Sequence, residues 1–322
     1  MDHLDVDGLG PVSRIGLGTW QFGSREWGYG DSYADRAALD IVRRARELGI
    51  TLFDTAEVYG FGRSERILGE ALGHERDEVV VASKIFPVAP FPPVVRRRWA
   101  GSARRLGLDR IPLYQVHQPN PVVPDAVTMP AFRRLLDEGG IGAAGVSNYS
   151  LARWRAADAA LGAPVVSNQV QFSLARAGPL EDHVPFAERE NRLVIAYSPL
   201  AQGLLGGRYG VDHRPGGVRA VNPLFGTENL RRVAPLLDLV REVADAHDAT
   251  PAQIALAWLI GLPRVVVIPG ASSVAQLEAN AAAAGVALRP DEQAALTAAA
   301  RAFRPVSAGR TLVDRVRERL GG

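Results

Sequence analysis

Short apolar segments alternate with longer amphipathic ones along most of the chain. The apolar segments hold a few residues each, and the segments between them repeat apolar positions at helical spacing. Strands that are buried on both faces and separated by helices are typical of a parallel sheet covered by helices. The predicted strands are RIGLGT (14–19), TLFDT (51–55), VVVAS (79–83), PLYQVH (112–117), GAAGVSN (142–148), VVSNQVQF (165–172), LVIAYSP (193–199) and RVVVIPG (264–270).

Eight such units favour a closed (β/α)8 TIM barrel, predicted here as a single domain over residues 1–322. Ahead of the first unit, Asp7-Gly8 between two short extended segments predicts an N-terminal β-hairpin that covers the barrel floor. Two further helical segments (250–261 and 291–303) and a basic tail (306–320) exceed the eight-unit pattern. The predicted fold is therefore an α/β barrel with an N-terminal hairpin and extra C-terminal helices.

Polar side chains stand where the predicted strands end. Asp54 closes the second strand, Lys84 follows the third and His117 closes the fourth. The carboxyl ends of barrel strands share one face, and the chemistry of such barrels takes place there. A buried charge without a partner costs several kcal/mol, so we interpret these three residues as a mutually compensating set. Two later strands end on Ser147-Asn148 and on Tyr197-Ser198, and the strand between them carries Gln169.

Lys84 is the only lysine of the chain: lysine and arginine together number 37, and all the others are arginine. Lysine is a compact point charge that can lie beside an acid and tune it, whereas arginine is a bulky planar fork. The one position that uses lysine is therefore a candidate for chemistry that arginine cannot perform.

The remaining composition excludes several classes of protein. The formal net charge is +2, and basic residues are interspersed with acidic ones, so a nucleic-acid surface is not indicated. The absence of cysteine excludes disulfides and thiolate chemistry. The sequence also has no closely spaced cluster of His and Asp of the kind that binds a metal ion. The N-terminal segment lacks an apolar signal core and no apolar run reaches the length of a membrane span. We therefore expect a cytoplasmic protein without membrane contact.

Tyr59, in the loop DTAEVYG after Asp54, adds a proton-transfer group. A phenol with a pKa of about 10 is a poor acid or base at neutral pH. One unit charge about 4 Å away contributes roughly 4 kcal/mol at an effective dielectric of about 20, so we expect Lys84 to lower the pKa of Tyr59. Asp54 would hold Lys84, and His117 would either orient a carbonyl oxygen or share its proton. Such a set suits delivery of a proton to an oxygen on which negative charge develops.

A series of motifs occurs in the order and spacing of a known family. They are VSRIGLGTWQFG, FDTAEVYGFGRSERILGEAL, VVASKI, LYQVHQPN, GAAGVSNYS, SNQVQFSL, AYSPLAQGLLGGRY and IPGASSVAQLEAN. On these motifs the chain resembles the aldo-keto reductases over nearly its whole length. The resemblance implies a catalytic tetrad of Asp54, Tyr59, Lys84 and His117. It also implies hydride transfer from a nicotinamide cofactor, which composition and spacing cannot indicate.

The resemblance assigns the cofactor contacts to matching positions. Those near the nicotinamide and its ribose are Gly18, Thr19, Trp20, Asp54, Ser147, Asn148, Gln169 and Tyr197, the last stacking on the ring. A pyrophosphate loop is implied at Ser198, Pro199, Leu200, Gln202, Gly203, Leu204 and Arg208. The adenosine phosphate and adenine are assigned to Ile268, Gly270, Ser272, Ser273, Gln276 and Asn280, at the start of a predicted helix, where free N–H groups bind anions.

The adenosine-phosphate segment departs from the family pattern. Many relatives place Lys or Arg within 270–276 to hold a 2′-phosphate, and this chain has none there. An acid often found before the equivalent of Asn280 is Ala279 here, with Glu278 one position earlier. We expect NADPH rather than NADH, with its 2′-phosphate held by the serine hydroxyls, by backbone amides or by an arginine from elsewhere in the chain.

The substrate pocket is expected to include Tyr59, His117 and aromatic residues that follow strand ends: Trp20, Trp27, Tyr29 and Phe86. The predicted activity is NADPH-dependent reduction of an aldehyde, ketone or sugar to an alcohol. Two alternatives stay open: a cofactor-binding sensor subunit resembling channel-associated barrels, and a nucleotide-keto-sugar reductase. The sequence leaves the physiological substrate and the oligomeric state open.

Overall fold

The computed structural model describes residues 1–22 and 32–306, and within these it has the predicted barrel. The strands are β1 (His3–Val6), β2 (Gly10–Ser13), β3 (Leu17–Gly18), β4 (Leu52–Asp54), β5 (Val80–Ile85), β6 (Ile111–Val116), β7 (Ile141–Ser147), β8 (Val165–Gln171), β9 (Leu193–Tyr197) and β10 (Val265–Val267). The helices are α1 (Ser32–Glu47), α2 (Arg63–Leu72), α3 (Pro92–Leu106), α4 (Asp125–Asp137), α5 (Leu151–Leu161), α6 (His183–Arg189), α7 (Thr227–Ala246), α8 (Pro251–Ile260), α9 (Val274–Ala282) and α10 (Pro290–Ala302).

Strands β3 to β10 form one parallel sheet in which each strand pairs with its neighbour in the sequence. The first and last strands also meet, through parallel bridges between Ile15 and Val267 and between Gly18 and Gly270. The Gly16 N–H donates to the Val267 carbonyl at 2.8 Å across this seam. The sheet is therefore a closed barrel, as the sequence predicts.

The predicted hairpin is also confirmed. Strands β1 and β2 pair antiparallel around the turn that contains Gly8, which has φ +80°. A Cβ at Gly8 would lie 2.9 Å from the Gly142 carbonyl oxygen, so only glycine allows this turn to approach β7. Val6 and Val12 are buried against interior side chains such as Leu52. The hairpin thus closes the amino-terminal end of the barrel with an apolar plug.

Helices α8 and α10 are the extra C-terminal helices that the sequence predicts. Their apolar faces join the larger core cluster outside the barrel, which includes Trp258 and Leu296. The basic tail lies outside the described residues beyond Val306. No helix of the described part is both long and apolar enough to cross a membrane. With the floor plugged and the wall covered, the carboxyl ends of the strands form the accessible face of the barrel.

Candidate active site

Asp54 and Lys84 meet inside the barrel at the ends of the neighbouring strands β4 and β5. The Lys84 Nζ lies 2.7 Å from both carboxylate oxygens of Asp54 and donates to the Thr55 carbonyl at 2.9 Å. It also lies 3.3 Å from the Tyr59 hydroxyl. Lys84 is wholly buried and Asp54 is 3% exposed. The only lysine of the chain is therefore committed to a buried ion pair that also contacts a phenol.

Burial acts against both charges of this pair. It raises the pKa of Asp54, and the Lys84 ammonium opposes that rise. Burial also lowers the pKa of Lys84, but Asp54 and Tyr59 stabilise the ammonium and bring its pKa above the ordinary value. A buried lysine that stays charged beside a carboxylate and a phenol can stabilise negative charge on the phenol oxygen.

The loop that carries Tyr59 has an unusual backbone. Gly60, Phe61 and Gly62 all adopt positive φ, at 55°, 54° and 81°. This left-handed stretch reverses the chain so that α2 can begin at Arg63 directly behind Tyr59. The Tyr59 N–H donates to the Ala56 carbonyl at 3.0 Å, which fixes the start of the turn.

The pKa expected for Tyr59 from the sequence is wrong in direction. Burial raises the pKa of Tyr59, and the opposing effect of Lys84 does not outweigh it. The sequence indicated the neighbouring charge but not the depth at which the phenol lies. In the free protein the phenol is therefore protonated at neutral pH, which is the form that a proton donor needs.

His117 follows β6 and packs against Tyr59. The two rings meet edge to face, with centroids 5.6 Å apart and planes at 82°. Burial and the Lys84 charge lower the pKa of His117 to about 3. The imidazole is therefore neutral at neutral pH, and its N–H can donate to a carbonyl oxygen without adding a positive charge.

The next strands bring together four of the residues assigned to the nicotinamide end of the cofactor. Ser147 Oγ donates to the Gln169 carbonyl at 2.9 Å, and Asn148 Nδ2 lies 3.1 Å from Ser147 Oγ. The Tyr197 hydroxyl donates to Asn148 Oδ1 at 2.9 Å. Gln169 has an additional contact that the sequence did not predict, from its Nε2 to Asp54 Oδ1 at 2.7 Å. This amide joins the cofactor set to the ion pair across the barrel.

The end of β3 lies beside the same group. Thr19 is buried, and its hydroxyl donates to the Asp54 carbonyl at 2.8 Å and lies 2.7 Å from the Ser64 hydroxyl. The Thr19 side chain therefore makes its hydrogen bonds within the barrel wall. Trp20 is 48% exposed at the mouth. A Cβ at Gly18 would lie 2.7 Å from the Ile268 carbonyl oxygen, so glycine permits the seam to close here.

The predicted pyrophosphate loop follows β9 with a strained backbone. Ser198, Ala201 and Gln202 have φ of 50°, 49° and 58°, and Gly203 has 95°. Left-handed residues other than glycine are uncommon and concentrate at ligand-binding segments. Of the other residues assigned here, Leu204 and Pro199 are buried, Leu200 is partly buried and Arg208 is exposed.

The start of α9 carries the residues assigned to the adenosine phosphate. Gln276 Oε1 accepts from the Ser272 N–H at 2.9 Å and the Ser272 hydroxyl at 2.8 Å, and Ser273 caps the helix by accepting from the Gln276 N–H. Glu278 pairs with Arg44 at 2.7 Å. Among the remaining members, Gly270 is exposed, Asn280 and Ile268 are buried, and Asn280 Nδ2 donates to the Gly270 carbonyl at 3.3 Å.

The substrate residues are only partly tested. Phe86 packs edge to face on His117, with centroids 5.8 Å apart, at the same end of the barrel as Tyr59. Trp27 and Tyr29 lie outside the described residues. Within residues 1–22 and 32–306 no group of His, Asp and Glu side chains is arranged to hold a metal ion.

Three residues near the site were not predicted from the sequence. Gln21 donates from Nε2 to the Ala271 carbonyl at 2.9 Å, which ties the loop after β3 to the start of α9. Glu57 and Arg98 form an ion pair with atoms 2.6 Å apart behind the Tyr59 loop. The position of Glu57 within DTAEVYG, beside Tyr59, was the one available signal.

Comparison with known proteins identifies the family. The model of the aldo/keto reductase family matches residues 14–301, so the chain belongs to that family. An uncharacterized oxidoreductase of Mycobacterium tuberculosis is 74% identical over 320 residues, 99% of each chain. The protein is thus an NAD(P)H-dependent oxidoreductase that acts on small-molecule carbonyl compounds.

Solved structures agree with this assignment. The glycerol dehydrogenase AKR11B4 of Gluconobacter oxydans superimposes with a TM-score of 0.86 at 28% identity, covering 95% of this chain and 98% of that one. An aldo-keto reductase of Klebsiella pneumoniae in complex with NADPH has a TM-score of 0.76 at 29% identity, covering 95% and 96%. The barrel described above is therefore the fold of enzymes in this family.

Proposed function

We propose that the protein reduces a small aldehyde, ketone or sugar to the alcohol with NADPH, and that Tyr59 is the proton donor. The observation that carries this proposal is the chain of contacts at the barrel mouth. Asp54 holds Lys84 at 2.7 Å, Lys84 lies 3.3 Å from the Tyr59 hydroxyl, and the Tyr59 ring packs against His117. These groups supply an acid, a charge that stabilises its conjugate base, and a neutral donor for orientation.

The residues of this chain divide the acid–base work. Tyr59, protonated at neutral pH because burial raises its pKa, gives its proton to the carbonyl oxygen. The Lys84 ammonium stabilises the phenolate that remains, and Asp54 keeps Lys84 charged and in place. His117 donates from its neutral ring to the carbonyl oxygen and sets its direction toward Tyr59.

We expect the cofactor to be held by residues at the ends of β7, β8 and β9, by the loop after β9 and by the start of α9. NADPH, when bound, supplies the hydride to the carbonyl carbon. Tyr197, Asn148, Ser147 and Gln169 would hold the nicotinamide. The loop at residues 198–203, in which four residues have positive φ, would hold the pyrophosphate, and the start of α9 would hold the 2′-phosphate.

The preference for NADPH is supported by the start of α9. The Ser272 N–H and hydroxyl both point at one acceptor, the Gln276 amide oxygen. A phosphate oxygen can take the place of that amide oxygen, because two converging donors at a helix start suit an anion. The Gln276 side chain is exposed and can rotate away.

The experiment compares Tyr59→Phe with the unmodified protein on a panel of aldehydes, ketones and sugars, with NADPH and NADH, by loss of cofactor absorbance. We expect Tyr59→Phe to cut kcat by about 10² or more, the scale of general-acid loss, with cofactor affinity within a few-fold. Tyr149→Phe is the matched control, because its hydroxyl bonds Asp125 at 2.7 Å in α4 and lies in no part of the proposed site. Near-normal turnover by Tyr59→Phe on the best substrate would show that the proton comes from elsewhere.

A further inference from the structure

The orientation of His117 depends on its aromatic neighbours. Its Nδ1 is buried and has no hydrogen-bond partner among the described residues. The ring instead meets Tyr59 and Phe86 edge to face, with centroids 5.6 and 5.8 Å away and planes at 82° and 84°. Because no hydrogen bond at Nδ1 fixes the imidazole, the positions of Tyr59 and Phe86 together determine how the His117 ring packs.

The backbone of Phe86 is held at both its polar groups. Its N–H donates to Glu57 Oε1 at 2.5 Å. Its carbonyl accepts from Arg98 Nη1 at 2.6 Å, and the same nitrogen lies 3.3 Å from the Val88 carbonyl. One acidic and one basic side chain thus fix the chain where it leaves β5.

Glu57 and Arg98 are also paired with each other. Arg98 Nη2 lies 2.6 Å from Glu57 Oε1, and Arg98 Nε lies 2.9 Å from Glu57 Oε2. The Arg98 side chain is 21% exposed and the Glu57 side chain 9% exposed. This bidentate ion pair is therefore shielded from most of the solvent. Glu57 belongs to the Tyr59 loop, and its own N–H donates to the Lys84 carbonyl at 3.3 Å.

We propose that Glu57 and Arg98 form a positioning clamp that sets Tyr59 and His117 relative to each other. Arg98, from α3, binds the loop after β4 through its ion pair with Glu57. It binds the loop after β5 through its hydrogen bond to the Phe86 carbonyl. The first loop carries the acid, and the second carries the ring against which His117 packs. Both clamp residues act through Phe86 and the Tyr59 loop, which makes them positioning residues. The catalytic part of this proposal rests on the carbonyl reduction proposed above.

A purely structural ion pair would have a different consequence, and the chain offers one for comparison. Arg105, later on α3, pairs with Glu65 of α2 at 2.6 Å, with Arg105 26% exposed and Glu65 wholly buried. Glu65 also accepts from Ser83 Oγ at 2.6 Å, on the outer side of β5. This pair matches the clamp in chemistry and burial. Among the described residues its side chains make no hydrogen bond to Phe86 or to the Tyr59 loop, although the Arg105 side chain packs against Gly62 at the end of that loop.

The test compares Arg98→Gln with Arg105→Gln, neither of which adds an amine. We expect Arg98→Gln to lower kcat by about tenfold to a hundredfold, the scale of a misplaced reacting group, with the affinity for NADPH within about twofold. The isotope effect with NADPH deuterated at C4 should rise, because the chemical step becomes slower. Arg105→Gln should keep kcat within about twofold even where it unfolds at lower urea concentration.

A double-variant cycle and a chemical probe complete the test. Glu57→Gln combined with Arg98→Gln should lose no more kcat than the worse single variant, because the two residues act as one unit. An amine-selective acylating reagent, followed by mass mapping, reports the opening of the Tyr59 loop over Lys84. We expect faster acylation of Lys84 in Arg98→Gln than in the unmodified protein, and no increase in Arg105→Gln.

Equal losses of kcat in the two arginine variants, or additive losses in the cycle, would overturn the clamp. If Arg98→Gln does not fold, Glu57→Gln alone carries the test, because its amide oxygen still accepts from the Phe86 N–H. The acylation comparison does not depend on turnover. A protein that reduces no carbonyl compound would therefore refute the proposed function, while unchanged acylation of Lys84 would refute the clamp itself.

Discussion

Replacing Lys84 by methionine should separate the contribution of the buried ion pair to stability from its contribution to catalysis. Methionine fills nearly the same space as the lysine stem and removes the ammonium. Asp54 would keep the hydrogen bond from Gln169 at 2.7 Å but lose both contacts with the Lys84 Nζ. A carboxylate that is 3% exposed would then lack a counter-charge.

The magnitude follows from the distance and the burial. Two unit charges 2.7 Å apart attract by about 6 kcal/mol at an effective dielectric of about 20. Much of that attraction offsets the desolvation of both groups, so the intact pair contributes less. Removal of one partner leaves the other uncompensated, and such changes cost about 3–5 kcal/mol. We expect Lys84→Met to lose about 3–5 kcal/mol of unfolding free energy at pH 8 and to have no measurable turnover.

The loss should also depend on pH. Burial raises the pKa of Asp54, and without Lys84 nothing of comparable strength opposes it. The folded variant then binds a proton at a pH where the unfolded chain does not, so its stability increases as the pH falls through the raised pKa. The deficit relative to the unmodified protein should be largest at pH 8 and smaller at pH 5.

Urea unfolding followed by circular dichroism at both pH values measures this deficit. The double variant Asp54→Asn/Lys84→Met is the matched control, because it carries no buried carboxylate at this position. It should regain most of the lost stability and stay inactive. The reasoning is refuted if Lys84→Met unfolds at the same urea concentration as the unmodified protein at pH 8, or if its deficit grows as the pH falls.

Three further predictions concern other parts of the site. With a pKa of about 3, His117 should show no titration between pH 5 and 8 in NMR of the histidine rings. It should also lower the free energy of unfolding as the pH falls below about 6.5, because in that range this histidine is protonated only in the unfolded chain. NADPH should bind at least about tenfold more tightly than NADH, and Ser272→Glu should abolish that preference in fluorescence titrations by repelling the 2′-phosphate; equal affinities in the unmodified protein would contradict this. Gly145→Ala should cost about 1–3 kcal/mol in urea unfolding, because the new Cβ would lie within 2.8 Å of the Gln115 side chain and closer still to Ser167 inside the barrel.

The barrel and the core of the site could be predicted from the sequence for identifiable reasons. Most of the strands are short apolar runs with a polar residue at or near the carboxyl end, where the mouth of such a barrel lies. Lys84 was a further signal, because it is the single lysine in a chain whose other Lys/Arg positions are all arginine. These signals are local, so Asp54, Lys84 and His117 could be assigned to one face without knowing how the strands curve.

The missing parts depend on contacts that leave no local signal. Gln169 and Asp54 lie on β8 and β4, far apart in the sequence, and only the closed barrel brings them together. Arg98 stands in an arginine-rich helix and looks like part of a solvated face, whereas its fork holds two loops. The direction of the Tyr59 pKa depends on burial, which a list of neighbouring charges does not contain.

The seam between β3 and β10 has a consequence for how the chain folds and for how long the folded protein resists proteolysis. It joins residues near 15 with residues near 267, so loop-closure entropy opposes it more than any pairing of consecutive strands. Seven of the eight strand pairings can form before it closes, and it is the joint expected to open first under thermal fluctuation. Residues assigned to the two ends of the cofactor lie on opposite sides of this joint, with Gly18 and Trp20 for the nicotinamide end on one side and Gly270 and Ser272 for the adenosine phosphate on the other. A ligand across them at 100 times its Kd would add about 2.7 kcal/mol to the folded state, so the supply of reduced nucleotide would also set how long a molecule resists proteolysis in the cell.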